Sequence, residues 1–188
     1  MLREAYELAR CAHWGQERRD PGSPYVVHPI LVAERLARRG YRDEVVAAAL
    51  LHDVVERSEL GVEDVARRFG WEVADLVAIL TDDPSIEDFV EGKEAQRRVI
   101  ASAGEDARAI FAADRTSNAR ELTRLIRTSG PPGSERDKAA PETRLWLWQR
   151  DLAMVEAESP ELDLLPELRA AIRGFAAAVT TLWADRRV

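Results

Sequence analysis

The sequence predicts an all-α protein, and three observations lead to that prediction. Apolar residues recur at helical spacing in one segment after another along the 188 residues. Glycine, proline and small polar residues cluster between these segments, where they end helices or form turns. No stretch has the alternating pattern that indicates a convincing strand. We therefore expect a single domain over residues 1–188, folded as a bundle of about eight to ten helices.

The first half of the chain is predicted to contain five of these helices. Residues 2–14 have helical spacing and no breaker, whereas residues 15–29 read as a loop with a turn at Asp20-Pro21-Gly22. A helix then opens at His28-Pro29, and Gly40 can cap its end. The most apolar segment follows as a central buried helix. The helices of this half are predicted at 28–39, 42–57, 60–70 and 71–80, after the first at 2–14.

The second half is predicted to contain the helices 86–103, 105–127, 143–158 and 166–186. The helix 86–103 carries Lys93, Arg97 and Arg98, which we expect to face solvent, although one could reach a ligand. Residues 128–142 are rich in Gly, Pro and Ser and predict a loop, either a lid or a plain linker. The last two helices close the bundle, and their tryptophans are expected to anchor the core or an interface. These tryptophans are Trp146, Trp148 and Trp183.

Composition and charge exclude several classes of function. The formal net charge is −7, which disfavours general binding to nucleic acid or to membranes but leaves room for a small anionic substrate. No apolar run is long enough to span a bilayer, and no leader-like segment opens the chain. Cys11 is the single cysteine, so neither an internal disulfide nor a cysteine metal motif is expected. These features predict a cytoplasmic protein without nucleic-acid or membrane partners.

A set of imidazoles and carboxylates stands in apolar surroundings, where each group needs a partner. His52 and Asp53 interrupt the apolar run of the central helix, His28 precedes another helix, and Asp114 follows the apolar run IFAA. Two imidazoles with two carboxylates form a nitrogen and oxygen ligand set that suits manganese, iron or zinc. Such a metal would lower the pKa of a water molecule and polarise a phosphorus atom. Glu56 lies one helical turn after His52 and shares its face.

Two further features indicate phosphate recognition near these groups. Arg18 and Arg19 lie on the loop that Pro21 and Pro24 stiffen, and fixed guanidinium groups suit phosphate oxygens. Asn118 lies four residues after Asp114 and shares its helical face. Each residue taken alone is more often structural, but together they predict a phosphate-handling metal site.

These residues resemble a known family. The segments AHWGQERRDPGSPYVVHPILVAERLA, AALLHDVVE and ADRTSNARELT are similar to the HD-domain hydrolase module of the RelA/SpoT family, in particular its small stand-alone members. The resemblance covers roughly residues 5–125. It implies an HD-domain helical bundle that uses Mn²⁺, or another divalent metal such as Fe, Zn or Co, to hydrolyse (p)ppGpp. The expected reaction releases pyrophosphate from the ribose 3′ position of this guanosine nucleotide.

The resemblance also implies roles for individual residues. Glu56 would orient or activate the attacking water as a general acid/base, with Arg57 beside it. His13 would have a supporting role at a helix end. The metal ligands would be His28, His52, Asp53 and Asp114. The residues that bind the substrate would be Arg18, Arg19, Tyr25 and Asn118.

The sequence departs from the family pattern at two positions. The family usually has Glu-Asp where this chain has Glu56-Arg57, and a lysine where this chain has Phe111. The exchange removes a carboxylate and a cation and adds a different cation. It leaves two alternatives open: a phosphohydrolase retuned for another phosphorylated nucleotide, or a nucleotide-binding regulator with weak catalysis. The tryptophan-rich C-terminal helices could also supply the interface of a homo-oligomer.

Overall fold

The computed structural model describes residues 1–20, 22–130 and 139–185, without the side chains of residues 183 and 185. Ten α-helices occupy these residues, and the prediction of an all-α fold is confirmed. Within the described residues, Glu17 and Pro24 form an isolated antiparallel β-bridge. The helices are α1 (Leu2–Ala12), α2 (Val27–Ala37), α3 (Asp43–Leu51), α4 (Val54–Arg57), α5 (Val62–Phe69), α6 (Trp71–Leu80), α7 (Phe89–Ser102), α8 (Glu105–Ser129), α9 (Pro141–Glu158) and α10 (Leu165–Asp185).

Helix α3 forms the centre of the bundle. Every residue from 45 to 51 is buried, which explains why this segment is apolar on all sides. It packs against α1, α2, α6 and α8, while α8 also packs against α10. The long helix α8 therefore joins the central layer to the C-terminal helices.

The predicted helix at 42–57 is wrong in one respect, because it is interrupted at His52 and Asp53. Helix α3 ends at Leu51, and the single turn α4 begins at Val54. Asp53 has φ −99° and ψ −6°, in the sparsely populated region where active-site residues are often found. In a continuous helix, neighbouring side chains would diverge by about 100°. Both residues lie in this interruption, between α3 and α4.

The loop before α2 contains the predicted turn. The Ser23 N–H donates to the Asp20 carbonyl oxygen at 3.0 Å, and Gly22 has φ +82°, which favours glycine. Pro21 of this turn lies outside the described residues. The Arg18 N–H donates to the Ser23 carbonyl oxygen at 2.9 Å and fixes the near end of the loop.

In the second half of the chain, the burial of two charged residues differs from the prediction. Lys93 is half-buried and Arg97 is buried, so only Arg98 faces solvent as predicted. Trp148 packs in the core with its ring centroid 4.8 Å from that of Phe175, whereas Trp146 is 46% exposed. The side chain of Trp183 lies outside the described residues, as does most of the predicted loop at 128–142. Among the described helices, none combines the length and the hydropathy that a membrane-spanning helix requires.

Candidate metal centre and active site

Four side chains from three parts of the chain converge at the core of the bundle. The His28 Nε2 atom lies 2.9 Å from the Asp114 Oδ1 atom and 3.7 Å from the Asp53 Oδ2 atom. The His52 Nε2 atom lies 3.4 Å from the same Asp53 oxygen and 3.8 Å from the Asp114 oxygen. Donor atoms of His28, His52 and Asp114 all lie within 4.8 Å of one another. The predicted convergence is therefore present.

The hydrogen bonding of His52 tests whether a metal ion fits this arrangement. Its Nδ1–H donates to the Ala49 carbonyl oxygen at 2.8 Å, which leaves the lone pair on Nε2. The Nε2 atom is buried and has no hydrogen-bond partner. An orphaned buried nitrogen that faces two carboxylates has the geometry of a metal ligand oriented by a backbone carbonyl. The residues present thus fit a divalent ion.

The local electrostatics keep Asp114 and His28 ready to bind a cation. Burial opposes the charge of Asp114, but the hydrogen bond from His28 and the charge of Arg115 outweigh it, so its pKa lies well below the usual range. The pKa of His28 is lowered, mainly because burial disfavours the imidazolium form. A carboxylate that stays ionised and an imidazole that stays neutral are both in the protonation state that metal binding requires.

Helix α9 supports the centre through a buried ion network that the sequence did not predict. The Arg115 Nη1 atom donates to the Asp114 Oδ2 atom at 2.6 Å, and its Nε atom donates to the Asp151 Oδ2 atom at 2.8 Å. The other oxygen of Asp151 accepts from the Arg97 Nε atom at 2.8 Å. Arg115 also donates to the Gln96 Oε1 atom at 2.8 Å. These contacts fix the far oxygen of Asp114 and leave the near one facing the imidazoles.

Glu56 lines the same pocket as Asp82, which the sequence analysis did not select, and Lys93, one of the three cations of which one was expected to reach a ligand. Its Oε1 atom accepts a hydrogen bond from the Asp82 N–H at 2.6 Å. Asp82 in turn forms an ion pair with Lys93. Desolvation, followed by the charges of Asp82 and Asp53, raises the pKa of Glu56. A raised pKa makes this carboxylate a stronger base, as a water-activating role requires.

The arginine pair of the loop is tied to α8 by Glu121. The Arg18 Nε atom donates to the Glu121 Oε1 atom at 2.9 Å, and its Nη2 atom contacts the second Glu121 oxygen. The Arg19 Nη1 atom donates to Glu121 at 3.2 Å. Asn118 links this pair to the centre, because it accepts from Arg18 at 3.0 Å and donates to Asp114 at 2.6 Å. Glu121 was missed, although its spacing of three from Asn118 and seven from Asp114 places it on the same helical face.

Tyr25 connects the metal centre with Arg57, which occupies the position where the family pattern has an acid. Its hydroxyl donates to the Asp53 Oδ2 atom at 2.5 Å. The Arg57 guanidinium lies over its ring, 4.2 Å from the centroid. His13 packs on the same tyrosine, with ring centroids 4.8 Å apart. Phe111, in place of the expected lysine, is buried under the Arg115 guanidinium at 4.2 Å.

All ten residues selected from the sequence line one pocket of about 210 Å³. The structure thus brings together every metal, catalytic and substrate-binding candidate, while their roles stay predictions. His13 does not line this pocket. Pocket-lining residues that the sequence analysis did not assign to the site include Asp82, Lys93, Gln96, Arg115, Arg144 and Asp151.

Comparison with known proteins decides the family. A family model described as "HD domain" matches residues 5–144. The chain belongs to the HD-domain family. The central helix is interrupted at His52 and Asp53, which form the adjacent His-Asp pair of this HD domain.

Several relatives of this HD domain carry names that state an activity. It is 38% identical over 123 residues to a guanosine-3′,5′-bis(diphosphate) 3′-pyrophosphohydrolase of Aquifex aeolicus, a match that covers 64% of this chain and 18% of that protein. The chain thus spans less than a fifth of the length of that relative. It is also 38% identical over 130 residues to the mouse protein of the same name, MESH1, where the match covers 68% of this chain and 72% of that protein.

Solved structures share this helical fold. A metazoan orthologue of SpoT that hydrolyses ppGpp superposes with a TM-score of 0.75 at 31% identity, over 92% of this HD domain and 93% of that chain. A Listeria monocytogenes protein superposes with a TM-score of 0.69 at 29% identity, over 78% of this chain and 96% of the other. The helical bundle is therefore shared over nearly the whole chain with the first of these structures.

Proposed function

We propose that this HD domain is a metal-dependent guanosine-3′,5′-bis(diphosphate) 3′-pyrophosphohydrolase, which converts (p)ppGpp to GDP or GTP and pyrophosphate. The observation that carries the proposal is the unpartnered Nε2 atom of His52, buried within 4 Å of Asp53 and Asp114. The names of the relatives support the substrate class. We expect Mn²⁺ as the ion, although nitrogen and oxygen ligands also suit Fe, Zn or Co.

His28, His52, Asp53 and Asp114 would hold the ion. When bound, it lowers the pKa of water and neutralises charge on the phosphoryl oxygens. Tyr25 would orient Asp53 through its hydroxyl, and Arg115 would orient Asp114. Because each carboxylate already has a fixed donor on one side, little reorganisation is needed when the substrate binds.

Glu56 would act as the general base. In the proposed step it takes a proton from the attacking water, whose oxygen forms a bond to the phosphorus attached to the ribose 3′ oxygen. The bond between that phosphorus and the 3′ oxygen breaks, and the leaving oxygen takes up a proton. Desolvation and neighbouring acids raise the pKa of Glu56, which favours the proton transfer.

Basic side chains would balance the charge of the substrate. Lys93 and Arg144 line the pocket on the side of α7 and α9, and Arg19 lines it on the loop side. This local positive charge lets a chain of net charge −7 bind a polyphosphate.

The test is pyrophosphate release from ppGpp with added Mn²⁺, for the wild-type protein and for Asp53→Ala. We expect metal-dependent release by the wild type and a loss of at least about 100-fold in the variant, as for a lost metal ligand. Asp75→Ala is the matched control, because Asp75 is exposed and lies on α6 away from the pocket. No metal-dependent release, or equal rates for wild type and Asp53→Ala, would refute the proposal.

Two observations favour a second candidate function. Phe111 and Arg57 occupy positions where the family resemblance leads us to expect a lysine and an acid. The site could therefore act on another phosphorylated nucleotide and release orthophosphate. Product analysis that separates pyrophosphate from orthophosphate distinguishes the two reactions. Tight calorimetric binding of guanosine nucleotides without any product would instead indicate a regulator.

A further inference from the structure

Arg57 is held in place at both its backbone and its side chain. Its carbonyl oxygen, at the end of α4, accepts a hydrogen bond from the Gln16 Nε2 atom at 2.7 Å. Gln16 is itself fixed by His13, whose Nδ1 atom lies 3.1 Å from the Gln16 Oε1 atom. The guanidinium stacks on Tyr25 at 4.2 Å. A cation fixed in this way keeps its hydrogen-bond donors available at low entropic cost.

Arg57 differs from three other cations of the pocket in its charge balance. Arg18 is paired with Glu121, Lys93 with Asp82, and Arg115 with two carboxylates. No carboxylate of the described residues forms an ion pair with the Arg57 guanidinium, although the residue is exposed to solvent. A preorganised guanidinium that is not paired with a carboxylate of the protein can bind an anionic group of a ligand.

A second hollow lies directly beside the pocket. This outer hollow, of about 440 Å³, is lined by Gly15, Glu17, Arg18, Arg19, Tyr25 and Arg57. Four of these residues, Arg18, Arg19, Tyr25 and Arg57, also line the pocket that contains the metal centre. A ligand with its reacting end at the metal centre can therefore extend into the outer hollow, past the ring of Tyr25.

We propose that Arg57 and the outer hollow bind the 5′ phosphates of the nucleotide, and that Arg57 thereby determines substrate specificity. This inference rests on the proposed function, since it assumes that the 3′ diphosphate lies at the metal centre. The Tyr25 hydroxyl contacts Asp53, whereas Arg57 covers the face of the same ring. The two ends of the substrate would thus lie on the two sides of Tyr25, with the ribose between them.

The kinetic test varies the 5′ end of the substrate while the 3′ diphosphate stays constant. For Arg57→Gln we expect kcat/KM to fall about 10- to 100-fold for ppGpp, since a charge-assisted phosphate contact is lost. The loss should be absent for guanosine 3′-diphosphate with a free 5′ hydroxyl. Arg57→Lys should recover part of the loss, because it keeps the charge but not the guanidinium fork. Equal losses for both substrates would overturn the proposal.

Arg10→Gln is the matched control for this experiment. Arg10 is exposed on α1 and forms an ion pair with Glu7 of the same helix, so kcat/KM of this variant should equal that of the wild type for both substrates. A substrate-dependent change in Arg10→Gln would mean that the effect is a general one of surface charge, and it would overturn the assignment to Arg57.

A binding measurement without metal separates this inference from the proposed function. In the presence of a chelator, calorimetry should show that the wild type binds GDP at least about 10-fold more tightly than guanosine. Arg57→Gln should bind the two ligands equally. If GDP has no advantage in the wild type, the inference fails, even where ppGpp is hydrolysed. If the advantage depends on Arg57 but no pyrophosphate is released from ppGpp, the assignment of a 5′-phosphate site to Arg57 stands and the proposed function fails.

Discussion

The charge on Asp151 should be a large contributor to the stability of this domain. This residue of α9 is 3% exposed and accepts hydrogen bonds from the Nε atoms of Arg97 and Arg115, each at 2.8 Å. Asp151→Asn preserves the shape of the side chain but removes the charge that neutralises two buried guanidinium groups. Breaking a buried ion pair by removing one partner costs about 3–5 kcal/mol. We expect the free energy of unfolding to fall by that amount.

Urea denaturation followed by circular dichroism measures this loss. The midpoint should fall while the slope stays constant, since the surface exposed on unfolding hardly changes. In a domain of this size, about 1 kcal/mol corresponds to a shift of about 2–4 °C in Tm, so thermal unfolding should shift by about 6–20 °C.

The control is Asp75→Asn, the same substitution at an exposed position of α6. It should change the free energy of unfolding by less than about 0.5 kcal/mol. A loss below about 1 kcal/mol for Asp151→Asn would refute the reasoning. It would mean that Arg97 and Arg115 are neutralised without Asp151, through Glu94 and Asp114.

Two further predictions concern Glu56 and His52. The base form of Glu56 is the ionised one and its pKa is raised, so kcat/KM should fall as the pH drops through a value above the usual range of glutamate. Glu56→Gln should lower the rate about 100-fold or more and abolish that acidic limb. For His52, a metal ion at about 100 times its Kd should stabilise the wild type by about 2.7 kcal/mol. Thermal unfolding should show this metal-dependent rise in Tm, and His52→Gln should lose it.

Each of these measurements has its own contradictory outcome. An acidic limb that persists unchanged in Glu56→Gln would assign the titration to another group. A metal-dependent rise in Tm that is as large in His52→Gln as in the wild type would place the ion elsewhere. Glu4→Gln, at an exposed position of α1, serves as a control for the pH profile and should leave the limb in place.

Local sequence patterns predicted much of the fold. Apart from the separation of α3 and α4, the apolar spacing located the helices to within a few residues, and the segment 71–80 matches α6 at both ends. The candidate site could also be predicted from the sequence, because it contains polar residues that stand out in apolar surroundings: His28, His52, Asp53 and Asp114. Loop context and helical spacing indicated Arg18, Arg19 and Asn118, and the resemblance to a family pattern then supplied Tyr25 and a substrate-binding role for all four, which line the same pocket.

Other features have no local signature. The partners of Asp151, for example, lie 54 and 36 residues away in the sequence, at Arg97 and Arg115. An arginine on an amphipathic helix reads as solvent-facing unless the opposing helix is known, which is why the burial of Arg97 was not predicted. The interruption of the central helix was missed for a similar reason, since neither His52 nor Asp53 is a helix breaker.

The sequence by itself determined that the chain is helical, which face of each helix is apolar, and which few side chains could bind a metal. These properties depend on residue type and spacing within one segment. Only the tertiary structure decided which cations are neutralised by carboxylates and that Glu121 forms an ion pair with Arg18. It also decided that Arg57 stacks on Tyr25 and forms no ion pair with a carboxylate of the described residues. Such pairings depend on distances between helices far apart in the chain, and charge balance at a buried site is a property of all its neighbours together.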